Sequence, residues 1–178
     1  MKKYELVERI SPDELDACLE RLAARINRDY EGKSLILIGI LKGAFIFMAD
    51  LARRLCVPVE LDFVRLASYG HRAETCGTVQ LTKDIELPIQ GRHVLVVEDI
   101  VDTGITLRWF LDYLKAHNPE SVRVCALIDK HERRKVEIAV DYAGMCLDGF
   151  LVGYGLDFSE HHRNLPAIYE VVFDKSCE

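Results

Sequence analysis

Residues Val94 to Leu107, VLVVEDIVDTGITL, hold most of the side chains that could do chemistry. Val94-Leu95-Val96-Val97 is a short apolar run of the kind that forms a strand buried on both faces. Glu98 and Asp99 follow where that strand leaves the sheet, and Asp102-Thr103-Gly104-Ile105-Thr106 turns into a segment with helical spacing. In open α/β sheets, ligands bind outside the carboxyl ends of the strands. Thr103, Gly104, Ile105 and Thr106 offer successive backbone N–H groups, two hydroxyls and a helix N-terminus, which together make a phosphate cradle. Gly104 lets the backbone come close to the anion. Glu98 and Asp99 would repel a phosphate unless they serve something beside it, such as sugar hydroxyls or Mg²⁺. The plain alternative is a solvated strand end and an Asp102 that merely caps the helix. For the whole string we favour the cradle. It is neither a Walker A loop nor GxGxxG.

The elements that must position these groups can be read around them. Ser11-Pro12-Asp13-Glu14 opens a helix with a serine cap, a proline at the first helical position and acids in the first turn. Leu15, Cys18, Leu19, Leu22 and Ile26 give it a buried face. Leu35 to Ile40 predicts a buried strand, followed after Leu41-Lys42-Gly43 by a helix from about Ala44 to Leu55. Val57 to Leu66 predicts a half-exposed strand, with Val59, Leu61 and Phe63 inward and Glu60 and Asp62 outward. Ala67 to Thr82 lacks apolar period and predicts a long loop or a loose hairpin. A helix with Leu107, Phe110, Leu111 and Leu114 on one face follows the chemical string, then a strand over Val122 to Ile128. Three shorter strands are expected near Ala139–Ala143, Phe150–Gly153 and Ile168–Val172. Apolar runs alternating with helix-period segments predict βαβ units, hence an α/β fold with a mostly parallel sheet.

The chain has 178 residues, 49% apolar and 29% charged, with a net charge of −6. That length fits one domain, residues 1–178, able to bury a core without staples. The acidic balance argues against nucleic acid or anionic lipid held by bulk charge. Its longest apolar run, Leu35 to Leu41, is too short to span a bilayer. No apolar stretch follows the N-terminal lysines as a secretory leader would require, and the six cysteines include no CxxC or zinc spacing. A cytoplasmic protein with free thiols is expected.

The string from Val94 to Thr106 closely resembles the phosphoribosyl-pyrophosphate (PRPP) motif of the type I phosphoribosyltransferases. Over nearly the full length the chain resembles the hypoxanthine (hypoxanthine-guanine) phosphoribosyltransferases in particular. Leu41-Lys42-Gly43 resembles their pyrophosphate loop, Ser68-Tyr69-Gly70 the start of their mobile catalytic loop, and Asp129-Lys130 the segment with the base-reading lysine. Phe150 to Asp157 and Arg163-Asn164-Leu165-Pro166 resemble their C-terminal hood and metal segment.

The resemblance implies a mostly parallel sheet flanked by helices, with a small hood and a mobile loop. It implies transfer of 5-phosphoribosyl from PRPP to N9 of hypoxanthine, and also guanine, giving IMP or GMP and pyrophosphate. Asp102 would be the general base at purine N7; Thr103, Gly104, Ile105 and Thr106 would hold the 5′-phosphate. Glu98 and Asp99 would contact the ribose hydroxyls, directly or through Mg²⁺, and Asp157 would be a second-site magnesium ligand. Lys42, Gly43 and Arg163 would bind pyrophosphate, and the Leu41–Lys42 peptide can be cis in this family. Lys130, Phe150, Leu151 and Asp157 would form the purine site, with Phe150 stacking on the ring and Lys130 donating to O6. Ser68 and Tyr69 would belong to the mobile loop.

Read alone, several of these residues have ordinary roles: a surface lysine or arginine, a core phenylalanine, a strand-end acid. The basic cluster from Lys130 to Lys135 reads as a solvated turn, and His161-His162 has no third ligand at zinc spacing. Partners are expected to be PRPP and a 6-oxopurine, with no nucleic acid and no membrane, in a homodimer or homotetramer. The competing readings are a xanthine- or guanine-preferring enzyme and a non-catalytic PRPP-sensing regulator. Retention of Asp102 and Ser68-Tyr69 disfavours the regulator.

Overall fold

The structure, a computed structural model, describes residues 3–69 and 78–173. After β1 (Tyr4–Ile10) the chain enters α1 (Pro12–Asp29) through a complete capping box. The Ser11 hydroxyl accepts the Glu14 N–H at 3.3 Å, and the Glu14 carboxylate accepts the Ser11 N–H at 2.9 Å. The elements that follow are β2 (Leu35–Leu41), α2 (Phe45–Ala52), β3 (Val59–Tyr69), β4 (Thr78–Lys83), β5 (His93–Val101) and α3 (Ile105–Lys115). Then come β6 (Ser121–Asp129), β7 (Tyr142–Met145), β8 (Leu151–Val152) and β9 (Ile168–Phe173).

Six strands form one sheet in the order β4-β3-β2-β5-β6-β7, parallel throughout except for the antiparallel β3–β4 pair. Its two faces carry separate cores. Leu35, Leu37, Leu95, Val97, Cys125 and Leu127 face α1 and α2, whereas Ile36, Ile38, Val94, Val96, Val124 and Ala126 face α3. This period-2 partition is what a sheet covered on both sides requires. The second sheet, β1-β9-β8, is antiparallel, and its Ile10, Leu151 and Ile168 join the core under α1 and α2.

The helices after β2 and β5 leave to opposite faces, so the strand order reverses between these two neighbours. Pairing of β2 with β5 ends at Gly39↔Val97, while β5 stays paired to β6 as far as Val101↔Asp129. From Glu98 onward β5 therefore has a partner on one side only. A crevice opens there, at the switch point where ligands bind in such sheets.

Several expectations need correction. The helix after Gly43 is Phe45–Ala52, shorter than the span from Ala44 to Leu55. Glu98 and Asp99 lie within β5 rather than at its exit. The strand expected at Ala139–Ala143 begins at Tyr142, after the Asp141 carboxylate has accepted the Val124 N–H at 2.8 Å. β1 had no counterpart in the sequence reading. Between Ala67 and Thr82, the described residues are the arms of a hairpin, Tyr69 pairing with Thr78. The loop itself, residues 70–77, lies outside the described residues, as do the side chains of Ser68 and Tyr69.

In β3 the predicted inside and outside are partly exchanged. Asp62 is buried at 6% exposure while Leu61 stands 49% exposed. Asp62 accepts the N–H groups of Phe63, Glu86 and Leu87 at 2.7, 2.6 and 3.0 Å and pairs with Lys83 at 3.3 Å. Burial alone would raise its pKa, but these donors outweigh it and hold the carboxyl below its ordinary range.

Candidate active site

Thr103-Gly104 carries the chain from β5 into α3, whose opening N–H groups have no earlier helical turn to bond. Gly104 has φ +81°, a left-handed conformation that suits glycine. A methyl there would press on the Val136 carbonyl and Ile138, so its smallness admits the following loop. Ile40, Leu41 and Leu66 join Glu98, Ile100, Asp102, Thr103, Thr106 and Leu107 around a cavity at this turn. The hydroxyl-bearing and acidic side chains thus meet as the cradle reading requires. Ile105 is exposed and could contribute only its backbone.

Glu98 and Asp99 differ in surroundings. Glu98 Oε2 is buried with no hydrogen-bond partner among the described residues, as is Asp102 Oδ1. Burial, and then the charge of Asp99, push the Glu98 carboxyl well above the usual carboxylate range. Burial raises Asp99 too, opposed by the Ile100 N–H at 2.8 Å and by the positive charge of Arg163. Asp99 lies against the turn after β2: a methyl on Gly43 would overlap its carboxylate. The Leu41–Lys42 peptide is cis.

Lys42 and Arg163 come together through an acid that the sequence reading passed over. Glu160 Oε2 lies 2.9 Å from Lys42 Nζ and 3.3 Å from the Arg163 guanidinium. Arg163 also reaches Asp157 Oδ1 at 2.7 Å and donates to the Gly155 carbonyl at 2.8 Å. Gly155, at φ +102°, packs so closely on the Gly43 carbonyl that no side chain would fit. The two segments expected at pyrophosphate are therefore in contact.

On the β6 side, Lys130 donates its backbone N–H to the Val101 carbonyl at 3.0 Å and its Nζ to the Gly149 carbonyl at 2.6 Å. Lys130, Glu132, Arg133, Gly149 and Phe150 line a second pocket. Phe150 is 47% exposed, whereas the core rings of Phe47 and Phe110 are fully buried. Leu151, expected at the purine, is a core residue at 5% exposure, so its side chain does not face that pocket. Asp157 groups with Arg163 and Glu160.

The basic cluster is not wholly a solvated turn. Arg134 folds inward, donating to the carbonyls of Asp102, Val101 and Lys130 at 2.9, 3.2 and 2.8 Å and pairing with the buried Asp129 carboxylate. Lys135 and Val136 donate their N–H groups to the Thr103 carbonyl at 3.0 and 3.2 Å. Arg133 points the other way, 3.3 Å from Asp102 Oδ2. Nothing in a run of four charged residues tells which one will turn in, so Arg134 left no signal. Glu160 left none either.

Comparison with known proteins agrees with this geometry. Residues 11–159 match the model of the phosphoribosyl transferase domain. A hypoxanthine phosphoribosyltransferase of Haemophilus influenzae is 42% identical over 98% of this chain and 100% of its own. A hypoxanthine-guanine phosphoribosyltransferase of Aquifex aeolicus is 40% identical over 96% of each chain. The crystal structure of a hypoxanthine-guanine phosphoribosyltransferase from Bacillus anthracis superposes with TM-score 0.90 at 44% identity, covering 96% of this chain and 99% of that one. Full-length likeness of sequence and fold together leaves one assignment: this chain belongs to the phosphoribosyltransferase family, in its hypoxanthine (hypoxanthine-guanine) branch.

Proposed function

We propose that this protein transfers the 5-phosphoribosyl group of PRPP to N9 of hypoxanthine, and of guanine, forming IMP or GMP and releasing pyrophosphate. The observation that carries the reading is the crevice between β2 and β5. Its floor is the Glu98–Thr106 segment, which touches the Lys42-Gly43 turn through Asp99 and the Lys130 segment through Arg134. Sites for phosphate, ribose, pyrophosphate and base are thereby contiguous.

In the reaction the N9–C1′ bond forms as the C1′–pyrophosphate oxygen bond breaks. Positive charge builds on the ribose and negative charge on the leaving group, so electrostatic placement matters more than a nucleophile. Asp102, with Oδ1 unpartnered, takes the proton from N7 as N9 attacks. Thr103 to Thr106 hold the 5′-phosphate; Lys42, Gly43 and Arg163 hold pyrophosphate. Lys130 has donors to spare beyond its bond to Gly149 and directs one to O6. Phe150 stacks on the purine.

Glu98, with Oε2 unpartnered, and Asp99, set against the Lys42-Gly43 turn, suit Mg²⁺. This ion commonly takes one or two carboxylates together with substrate phosphates. Asp157, already paired to Arg163, would be its second-site ligand. When bound, the ion would supply positive charge that offsets the negative charge developing on the leaving group.

We further read residues 1–178 as one phosphoribosyltransferase domain, because the small sheet and the large one share a core. We read the protein as cytoplasmic and as a homodimer or homotetramer. The free thiols of Cys18, Cys56, Cys125 and Cys146 suit a reducing compartment, and sedimentation will give the oligomer. Among the described residues no helix is long and apolar enough to cross a membrane.

The test is pyrophosphate release on mixing with PRPP, Mg²⁺ and hypoxanthine, guanine or xanthine. Wild type should turn over the first two, and Asp102→Asn should lose roughly 10²–10⁴ in kcat with nucleotide affinity nearly kept. Nucleotide binding without turnover would make the protein a sensor.

A further inference from the structure

We propose that Glu160 is the resident counter-anion of the pyrophosphate subsite: its carboxylate bridges Lys42 and Arg163, and pyrophosphate must displace it to bind. The inference rests on the reading of Lys42 and Arg163 as the cations that hold pyrophosphate.

One oxygen, Glu160 Oε2, takes both cations, at 2.9 Å from Lys42 Nζ and 3.3 Å from the Arg163 guanidinium. Lys42 is 118 residues away in the chain, so the bridge joins the turn after β2 to the segment after β8. A carboxylate oxygen held between an ammonium and a guanidinium occupies the place of a phosphate oxygen.

The backbone is bent to present that side chain. Phe158 and His161 exchange N–H···O bonds at 3.1 and 3.0 Å, closing a two-residue turn over Ser159 and Glu160. Both turn residues are left-handed, at φ +52° and +67°. Such turns favour Asn-Gly, because other side chains are strained there. A glutamate in this conformation points to a use for its side chain. The Glu160 N–H donates to Asp157 Oδ2 at 2.8 Å, which fixes the turn relative to Arg163.

The consequence is competition for the same donors. Pyrophosphate carries more charge than a carboxylate and wins when abundant, yet its binding forfeits two ion pairs and leaves an anion nearby. Glu160 therefore weakens affinity for PRPP and for pyrophosphate alike. It also keeps the two cations together once the product has left.

The experiment is calorimetric titration of inorganic pyrophosphate, with magnesium present, into wild type and the variants Glu160→Gln, Glu160→Gly and Lys42→Met. KM for PRPP and affinity for IMP are measured alongside. Removing the exposed carboxylate should tighten pyrophosphate by about 2- to 10-fold, lower KM for PRPP similarly and leave IMP affinity unchanged. The gain should shrink in 0.5–1 M salt, roughly where the Debye length falls to a few ångströms. Glu160→Gly, which suits the left-handed backbone, should show the same gain, whereas loss of a merely structural contact would weaken binding. Lys42→Met should weaken pyrophosphate. If Lys42→Met weakens it but neither Glu160 variant tightens it, the counter-anion inference fails and the subsite assignment stands. If Lys42→Met has no effect, the subsite assignment and the inference fail together.

Discussion

Arg134 donates from Nε to the backbone carbonyl of Asp102 at 2.9 Å and from its terminal nitrogen to the carbonyl of Lys130 at 2.8 Å. One guanidinium thus fixes the spacing between Asp102, the proposed general base, and Lys130, the proposed reader of O6. Its charge is matched by Asp129, buried at 7% exposure. Removing one member of a buried pair leaves the other uncompensated, at roughly 3–5 kcal/mol. Arg134→Met should lose stability on that scale in denaturant titration. Arg134→Lys keeps the charge but not the planar fork, so it should recover part of the stability and less of the activity. Equal kcat/KM in Arg134→Lys and wild type would show that the spacing does not depend on Arg134.

These residues also mark what a sequence can and cannot disclose. The capping box of α1 and the buried face of α3 follow from local rules, and the structure has them where those rules put them. That the segment from Glu98 to Thr106 lines one cavity was legible because strand, acids, glycine and threonines are contiguous. Asp62 was misread because alternation assigns a charged residue to solvent. Its burial depends on Glu86 and Leu87, more than twenty residues away. Arg134 and Glu160 depend on turns whose conformation no local pattern encodes, and Leu151 belongs to the core because β8 pairs with β9.

Gly43 is required by space, not by its dihedral angle. A methyl group there would overlap the Asp99 carboxylate, and Gly155 closes the other side against the Gly43 carbonyl. Gly43→Ala must push Asp99 or the turn aside, and overpacking of this kind typically costs roughly 1–3 kcal/mol. KM for PRPP should rise about 10-fold or more on that scale, while IMP, which carries no pyrophosphate, should bind nearly as before. Equal weakening of both ligands would place the damage in the ribose site instead.

Glu98 predicts a trade of stability against function. Its carboxyl is raised well above the ordinary value by burial and by Asp99, so the folded state holds a proton that the unfolded chain releases at about pH 4.5. Stability supplied by that group is full below the unfolded value and declines as pH rises toward the folded value. Glu98→Gln cannot ionise. It should melt higher than wild type at pH 7–8, with the difference vanishing near pH 4 where both side chains are neutral. Its affinity for PRPP with magnesium should fall. A variant no more stable at any pH would mean that the Glu98 charge is compensated in the free protein.

On the proposed function, Lys130 is expected to set the choice between 6-oxo and 6-amino purines. Its ammonium is a donor only, and its bond to the Gly149 carbonyl at 2.6 Å holds the amine at the pocket lined by Phe150. O6 of hypoxanthine or guanine can accept from it, whereas the amino group of adenine presents a second donor. Two donors facing each other in a closed site are both left unpaired, at roughly 1–3 kcal/mol for each buried group. Sites built on one hydrogen-bond pattern reject the wrong partner by about 10⁴-fold or more, so adenine should be essentially inert. Lys130→Met keeps the apolar stem and removes the donors, leaving the Gly149 carbonyl, on an exposed residue, to water. KM for hypoxanthine should rise while KM for PRPP changes much less, because the Lys130 ammonium bonds to Gly149 and not to the cradle or the pyrophosphate cations. The measurement is kcat/KM for hypoxanthine, guanine and adenine in both proteins. Should wild type use adenine as well as hypoxanthine, or the variant keep full preference and affinity, the 6-position is read by another group in the Gly149–Phe150 pocket.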